Sequence, residues 1–120
     1  MVASIGTFTQ GGIYLSRLSD SKGAKISKAR PCIVLTSRVI LKKQPPLLFI
    51  CPLSKNSLPA FKALHVELPA RDNLHVTSYA LVEHCRAISS QRMIQPRLAQ
   101  LDDKELKTIL HRLNLMIDMG

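Results

Sequence analysis

A helical repeat occurs once in this chain, and it comes last. In "LDDKELKTILHRLNLMID" the apolar residues Leu106, Ile109, Leu110, Leu113, Met116 and Ile117 recur at i, i+3, i+4, i+7 spacing. That spacing predicts a helix with one buried stripe, and Lys104, Lys107 and Arg112 fall off it. Asp102 suits the N-cap, with Glu105 three residues later at capping-box distance. Everything before it reads as short β-type runs. "GGIYLSRL" (11–18) alternates after a Gly-Gly entry, and "LHVEL" (64–68) alternates as well. "PCIVLTS" (31–37) and "LLFICPLS" (47–54) are near-continuous apolar runs, the mark of buried strands. "LHVTSYALVEHCRAIS" (74–89) reads as one long or two short strands. In "SQRMIQPRLAQ" (90–100) Pro96 breaks any long helix, leaving a short helix or turn and a brief strand. The connections 19–30, 38–46 and 55–63 read as loops. With no βαβ alternation, the expectation is a mainly β domain, a small and strongly bent barrel with a C-terminal helix. The helix covers one mouth of that barrel or a partner subunit.

At 120 residues the chain is expected to form a single domain over 1–120. No run reaches the 18 or so apolar residues of a membrane span, and "MVASIGTFTQGG" lacks the charged and apolar regions of a signal peptide. Three cysteines, Cys32, Cys51 and Cys85, form no CxxC pair, and their odd number argues for reduced, buried thiols in a cytosolic protein.

Net charge is +9, and its distribution is sharper than its sum. Between Asp20 and Glu67 there is no acidic residue but nine cations: Lys22, Lys25, Lys28, Arg30, Arg38, Lys42, Lys43, Lys55 and Lys62. A surface of one sign attracts polyanions, so nucleic acid is the first partner class and an acidic protein the second.

Several chemistries are excluded. His65, His75, His84 and His111 are scattered, and His84 and Cys85, adjacent on a strand, would face opposite ways, so no metal site is expected. The glycines form no phosphate-cradling loop, and no GxSxG elbow exists. Five aromatics, Phe8, Tyr14, Phe49, Phe61 and Tyr79, are too few for a base-stacking platform. What remains is polar residues at strand ends: Arg30 entering one strand, Ser54 leaving another, and Glu83 with Arg86 on the late strand.

"GGIYLSRLSDSKGAKISKARPCIVLTS", "FICPLS", "YALVEHCRAISSQRM" and "LAQLDDKELKTILHRL" occur in an order and at a spacing that resemble the MazF/PemK (Kid) toxins of toxin–antitoxin modules, from about Gly11 to Ile117. The resemblance implies an SH3-like barrel of the CcdB/MazF type, dimeric and cytoplasmic. It implies a toxin of a type II module: a metal-independent, sequence-specific endoribonuclease, without cofactor, that cuts single-stranded mRNA to 2′,3′-cyclic phosphate and 5′-hydroxyl ends. It also implies a cognate antitoxin whose acidic disordered C-terminal segment occupies the RNA groove. Arg30 stands at the family's catalytic arginine, and Ser54 stands where a catalytic threonine is usual. Gly23 keeps the loop glycine, Glu83 the acidic position and Arg86 the arginine after it. Lys25, Lys55, His84 and Leu81 depart from the pattern, standing where members carry an acid, a serine, a glutamine and an arginine.

On this reading Arg30 neutralises charge on the phosphorane and Ser54 donates to the same phosphate. Glu83 or His84 transfers the proton. Lys22, Lys25, Lys28, Lys42, Lys43 and Lys55 hold the RNA backbone, with His84 and Arg86 in the same groove. The departures at Lys25, Lys55 and Leu81 favour a second reading, a non-catalytic module of the same fold that binds RNA or an acidic protein. A gyrase-poisoning role, as in the CcdB branch, lacks that branch's C-terminal signature.

Overall fold

The computed structural model describes residues 7–17, 29–57 and 62–117. Cys32, Ile33, Val34 and Leu35 are all buried, so strand β2 (Arg30–Val34) has apolar neighbours on both faces. It lies antiparallel between β1 (Gly12–Ser16) and β3 (Leu47–Ser54) at the centre of a curled sheet. The order is β4-β5-β3-β2-β1-β7, with β4 at Val66–Leu68, β5 at Ser78–Ala80 and β7 at Met93–Gln100. The long late segment is two strands. β5 pairs with the second half of β3 and β6 (Arg86–Ser89) with its first half. Between them a 3-10 turn, Val82–His84, interrupts the ladder. Glu83 and His84 therefore stand on a turn and not on the strand expected of them.

Curling brings the two ends of the sheet together. The Asn73 N–H, after β4, donates to the Leu98 carbonyl of β7 at 3.0 Å. The result is a half-barrel, with β7 as an edge paired to β1 alone. Pro96 is tolerated there because the β1–β7 register shifts between Ile13 and Leu15, so no ladder bond is asked of it.

Each face of the sheet carries a core. On one, Ile13, Ile33, Cys51, Leu53 and Leu68 meet the terminal helix α2 (Asp103–Ile117) through Ile109, fully buried, with Leu106, Leu110 and Leu113 beside it. On the other, Tyr14, Val34, Leu48, Ile50 and Met93 are closed over by Leu41 and Phe8. Leu41 belongs to a short helix, α1 (Arg38–Leu41), where a basic loop was expected. Ser37 starts it by accepting the Ile40 N–H at 3.4 Å, and burial of Leu41 holds it down. Among the described residues no helix is long and apolar enough to cross a membrane.

The turn into β1 needs both glycines. Gly11 has φ +84°, and a Cβ at Gly12 would stand 2.5 Å from Thr9 Oγ1 and 2.8 Å from the Tyr14 ring. Gly12→Ala is expected to destabilise the fold by about 1–3 kcal/mol, read as a lower urea midpoint with unchanged slope.

Helix α2 begins with the expected reciprocal cap. The Glu105 N–H donates to Asp102 Oδ1 at 2.7 Å, and the Asp102 N–H to Glu105 Oε1 at 3.1 Å. Arg71, from the β4–β5 connection, adds a two-pronged bond to the same carboxylate. That guanidinium holds the Glu105 carboxyl below its ordinary value. A carboxyl depressed in the fold stabilises it above the unfolded value of about 4.3, and the contribution fades as pH falls through the depressed value. Thermal melts should show wild type above Glu105→Gln at neutral pH. That gap should narrow as pH falls below about 4.3.

Candidate active site

The register of the sheet gathers polar residues distant in sequence. Ser16 is the partner of Arg30 across β1–β2. The β2–β3 ladder ends with Cys32 paired to Pro52, two residues short of Arg30 on one strand and of Ser54 on the other. Ser54 is in turn the partner of Tyr79, and Tyr79 of Glu67. The ladders thus link Ser16 with Arg30, and Ser54 with Tyr79 and Glu67, and the two series meet at one end of the β2–β3 pair. Alternation puts Arg30 on the face of Cys32 and Val34, and Ser54 on the face of Ile50. That is one face of the sheet, opposite the one α2 covers.

Arg30 is exposed at the first residue of its strand, and its carbonyl accepts a long bond from Ser16 Oγ at 3.4 Å. Ser54 is half-buried at the last residue of β3, its oxygen accepting the Asn56 N–H at 3.1 Å. This local turn bends the chain back and leaves the hydroxyl hydrogen for another acceptor. Lys55 follows, exposed. Arg30, Ser54 and Lys55 are thus brought to one end of the sheet.

The other candidates divide. Arg86 pairs with Ile50, four residues back along β3 from Ser54, or roughly 13 Å. It shares their face but lies two pleats away. Lys22, Lys25 and Lys28, with Gly23, lie outside the described residues, while Lys42 and Lys43 are exposed after α1. His84 is exposed on the turn, its Nε2 3.8 Å from Glu83 Oε2. Glu83 itself is nearly enclosed, its side chain 9% exposed, and its Oε2 is 2.7 Å from Nε2 of His65. Nδ1 of His65 is 2.8 Å from Ser57 Oγ. Glu83 Oε1 is buried without a hydrogen-bond partner among the described residues.

His65 and Ser57 are the residues that sequence reasoning missed. Alternation in "LHVEL" points His65 outward with Glu67. Instead the strand starts at Val66, and His65 is buried in front of it. Arg112 of α2, off the helix's apolar stripe, donates to the His65 carbonyl and pins that backbone. The single hint was a histidine inside a short, mostly apolar run.

Among the described residues the two core thiols are raised, whereas the half-buried Cys85 is lowered by its hydrogen bond with Cys51. Burial pushes Cys32 up to about 11. Cys51 is raised too, first by its hydrogen bond with Cys85 and then by burial. Among the described residues no three His, Cys, Asp or Glu side chains gather as metal ligands.

Residues 9–117 match a family model described as PemK-like, MazF-like toxin of type II toxin-antitoxin system. No curated protein matched the sequence. Among solved structures, the Mycobacterium tuberculosis toxin MazF-mt6 superposes with TM-score 0.72 at 16% identity, covering 91% of this chain and 98% of that one. MazF from Deinococcus radiodurans gives 0.72 at 22% identity, over 94% and 98% of the two chains. A MazE-MazF structure from the same organism gives 0.72 at 20%, over 95% and 99%. These likenesses show the half-barrel with its C-terminal helix to be the CcdB/MazF-like fold.

Proposed function

The chain belongs to the PemK-like, MazF-like toxin family of type II toxin–antitoxin systems, and from that premise we propose that it is a sequence-specific endoribonuclease cutting single-stranded mRNA. The supporting observation is the antiparallel pairing of β2 with β3, with Arg30 the first residue of one strand and Ser54 the last of the other at the same end of the sheet. In-chain RNA cleavage uses the ribose 2′-hydroxyl as nucleophile and needs no metal. Three tasks fall to the protein: taking that proton, balancing charge on the phosphorane, and letting the 5′-oxygen leave. Arg30 performs the second with a guanidinium fork matched to two phosphate oxygens. Ser54 donates its hydroxyl hydrogen to the same phosphate. Glu83 supplies the negative charge for proton transfer, and the products are 2′,3′-cyclic phosphate and 5′-hydroxyl ends. Lys22, Lys25, Lys28, Lys55, His84 and Arg86 hold the backbone by charge and hydrogen bonding, so affinity falls as salt rises.

The same reading supplies the partners. The protein acts in the cytoplasm as a homodimer, with residues 1–120 forming one toxin domain in each chain. Its antitoxin presents an acidic, disordered C-terminal segment to the cation-rich surface between Asp20 and Glu67. One Deinococcus neighbour is a MazE-MazF structure, and a mycobacterial endoribonuclease neighbour is in complex with its cognate antitoxin.

The test is incubation of purified protein with mixed-sequence single-stranded RNA in EDTA, followed by end analysis. Fragments ending in cyclic phosphate are expected. Intact RNA, or fragments with 3′-hydroxyl ends, would refute the reading.

A further inference from the structure

Glu83 does not reach the substrate directly: its side chain is nearly enclosed and its Oε2 is engaged by His65. From the chain of contacts Glu83–His65–Ser57 we infer that Ser57 is the catalytic base of the RNA cleavage proposed above, with His65 and Glu83 acting through it as positioning residues. The inference rests on that reading of the site and adds a residue to it.

One tautomer completes a relay. With Nε2 of His65 donating to the Glu83 carboxylate at 2.7 Å, Nδ1 of the neutral imidazole accepts from Ser57 Oγ at 2.8 Å. A hydroxyl, a base and a carboxylate that orients the base form the arrangement that activates an oxygen nucleophile or passes a proton. The imidazole is 1% exposed and cannot itself meet RNA, but Ser57 is only partly buried. Ser57 and His65 line a cleft of about 740 Å³ together with Lys62, Tyr79, Glu67 and Arg112. Tyr79 is the cross-strand partner of Ser54, so this cleft adjoins the end of the sheet that holds Arg30. Two cations on its wall, Lys62 and Arg112, suit a phosphodiester.

The step balances without a further reactant. Ser57 Oγ takes the 2′-hydroxyl proton as its own proton passes to Nδ1 of His65, giving an imidazolium faced by Glu83. The 2′-oxygen forms its bond to phosphorus, the bond from phosphorus to the 5′-oxygen breaks, and the 5′-oxygen takes a proton from water. The imidazolium then returns its proton through Ser57 to solvent.

Single-turnover cleavage of a single-stranded oligoribonucleotide tests this, with the all-2′-deoxy strand as a probe of binding. Ser57→Ala is expected to cleave about 10²–10⁴-fold more slowly while binding the deoxy strand as wild type does. Ser57→Thr, which keeps the hydroxyl, should retain most of the rate. A folded His65→Gly should be accelerated by added imidazole, a rescue that a purely structural histidine would not show. Wild-type rates in Ser57→Ala overturn the relay alone. A folded His65→Gly indifferent to imidazole removes His65 from it. Wild type that leaves RNA intact overturns the cleavage reading and the relay together.

Discussion

Replacing Arg30 by alanine is expected to slow RNA cleavage about 10²–10³-fold, the loss of about 3–4 kcal/mol of transition-state stabilisation. The fold should not change. Arg30 is exposed, and its carbonyl, which takes the Ser16 bond, is retained by alanine. Arg30→Lys keeps the charge but not the two-pronged fork, so its rate should fall between the two. Ser54→Ala removes one hydrogen bond to a charged group, worth about 1.5–3 kcal/mol, or ~10–10² in rate. Initial rates on one RNA substrate decide it, with circular dichroism as the folding control. Arg30→Ala at wild-type speed would detach the arginine from the chemistry. A wild-type chain that is inert, yet binds RNA in a salt-dependent way, would favour the non-catalytic reading and point to the departures at Lys25, Lys55 and Leu81.

The largest effect on stability is expected at Ile109. Its side chain is fully buried where α2 meets the sheet, and the core cluster it joins draws residues from six strands and the 3-10 turn. Ile109→Ala should cost about 2–5 kcal/mol through lost burial and the cavity left behind. The cost should decline along the helix. Leu113 is partly buried and should lose less, and Ile117, 67% exposed, should change by no more than about 0.5 kcal/mol. Denaturant midpoints of the three alanine variants test the gradient. Equal losses at Ile109 and Ile117 would mean that the last helical turn is covered in solution, as a partner subunit would cover it.

Periodicity made β3 and α2 legible because it depends only on neighbours in sequence. Leu47–Ser54 and the Asp102–Glu105 cap stand where the residues placed them. The short helix α1 was hidden because three of its four residues are exposed and its anchor is one tertiary contact, Leu41. Arg30 and Ser54 could be singled out as strand-end residues, and the family resemblance gave them roles. Their placing at one end of the sheet depends on strand pairing, which pattern alone does not supply. His65 was invisible as a site residue for a stronger reason. Its partners, Ser57 and Glu83, are 8 and 18 residues away and meet it only when β4 and the 3-10 turn fold under α2.

The edge pairing of β1 with β7 joins nearly opposite ends of the described chain, Gly12 with Gln100. Closing so long a loop is entropically costly, and that cost is repaid only when both strands exist. On a ribosome, β1 emerges long before its outer partner. The sheet beside Arg30 therefore includes a strand that lacks one neighbour until Met93–Gln100 has been made. A nascent chain short of residue 100 has its sheet unfinished, so the timing of synthesis itself delays the finished cleft.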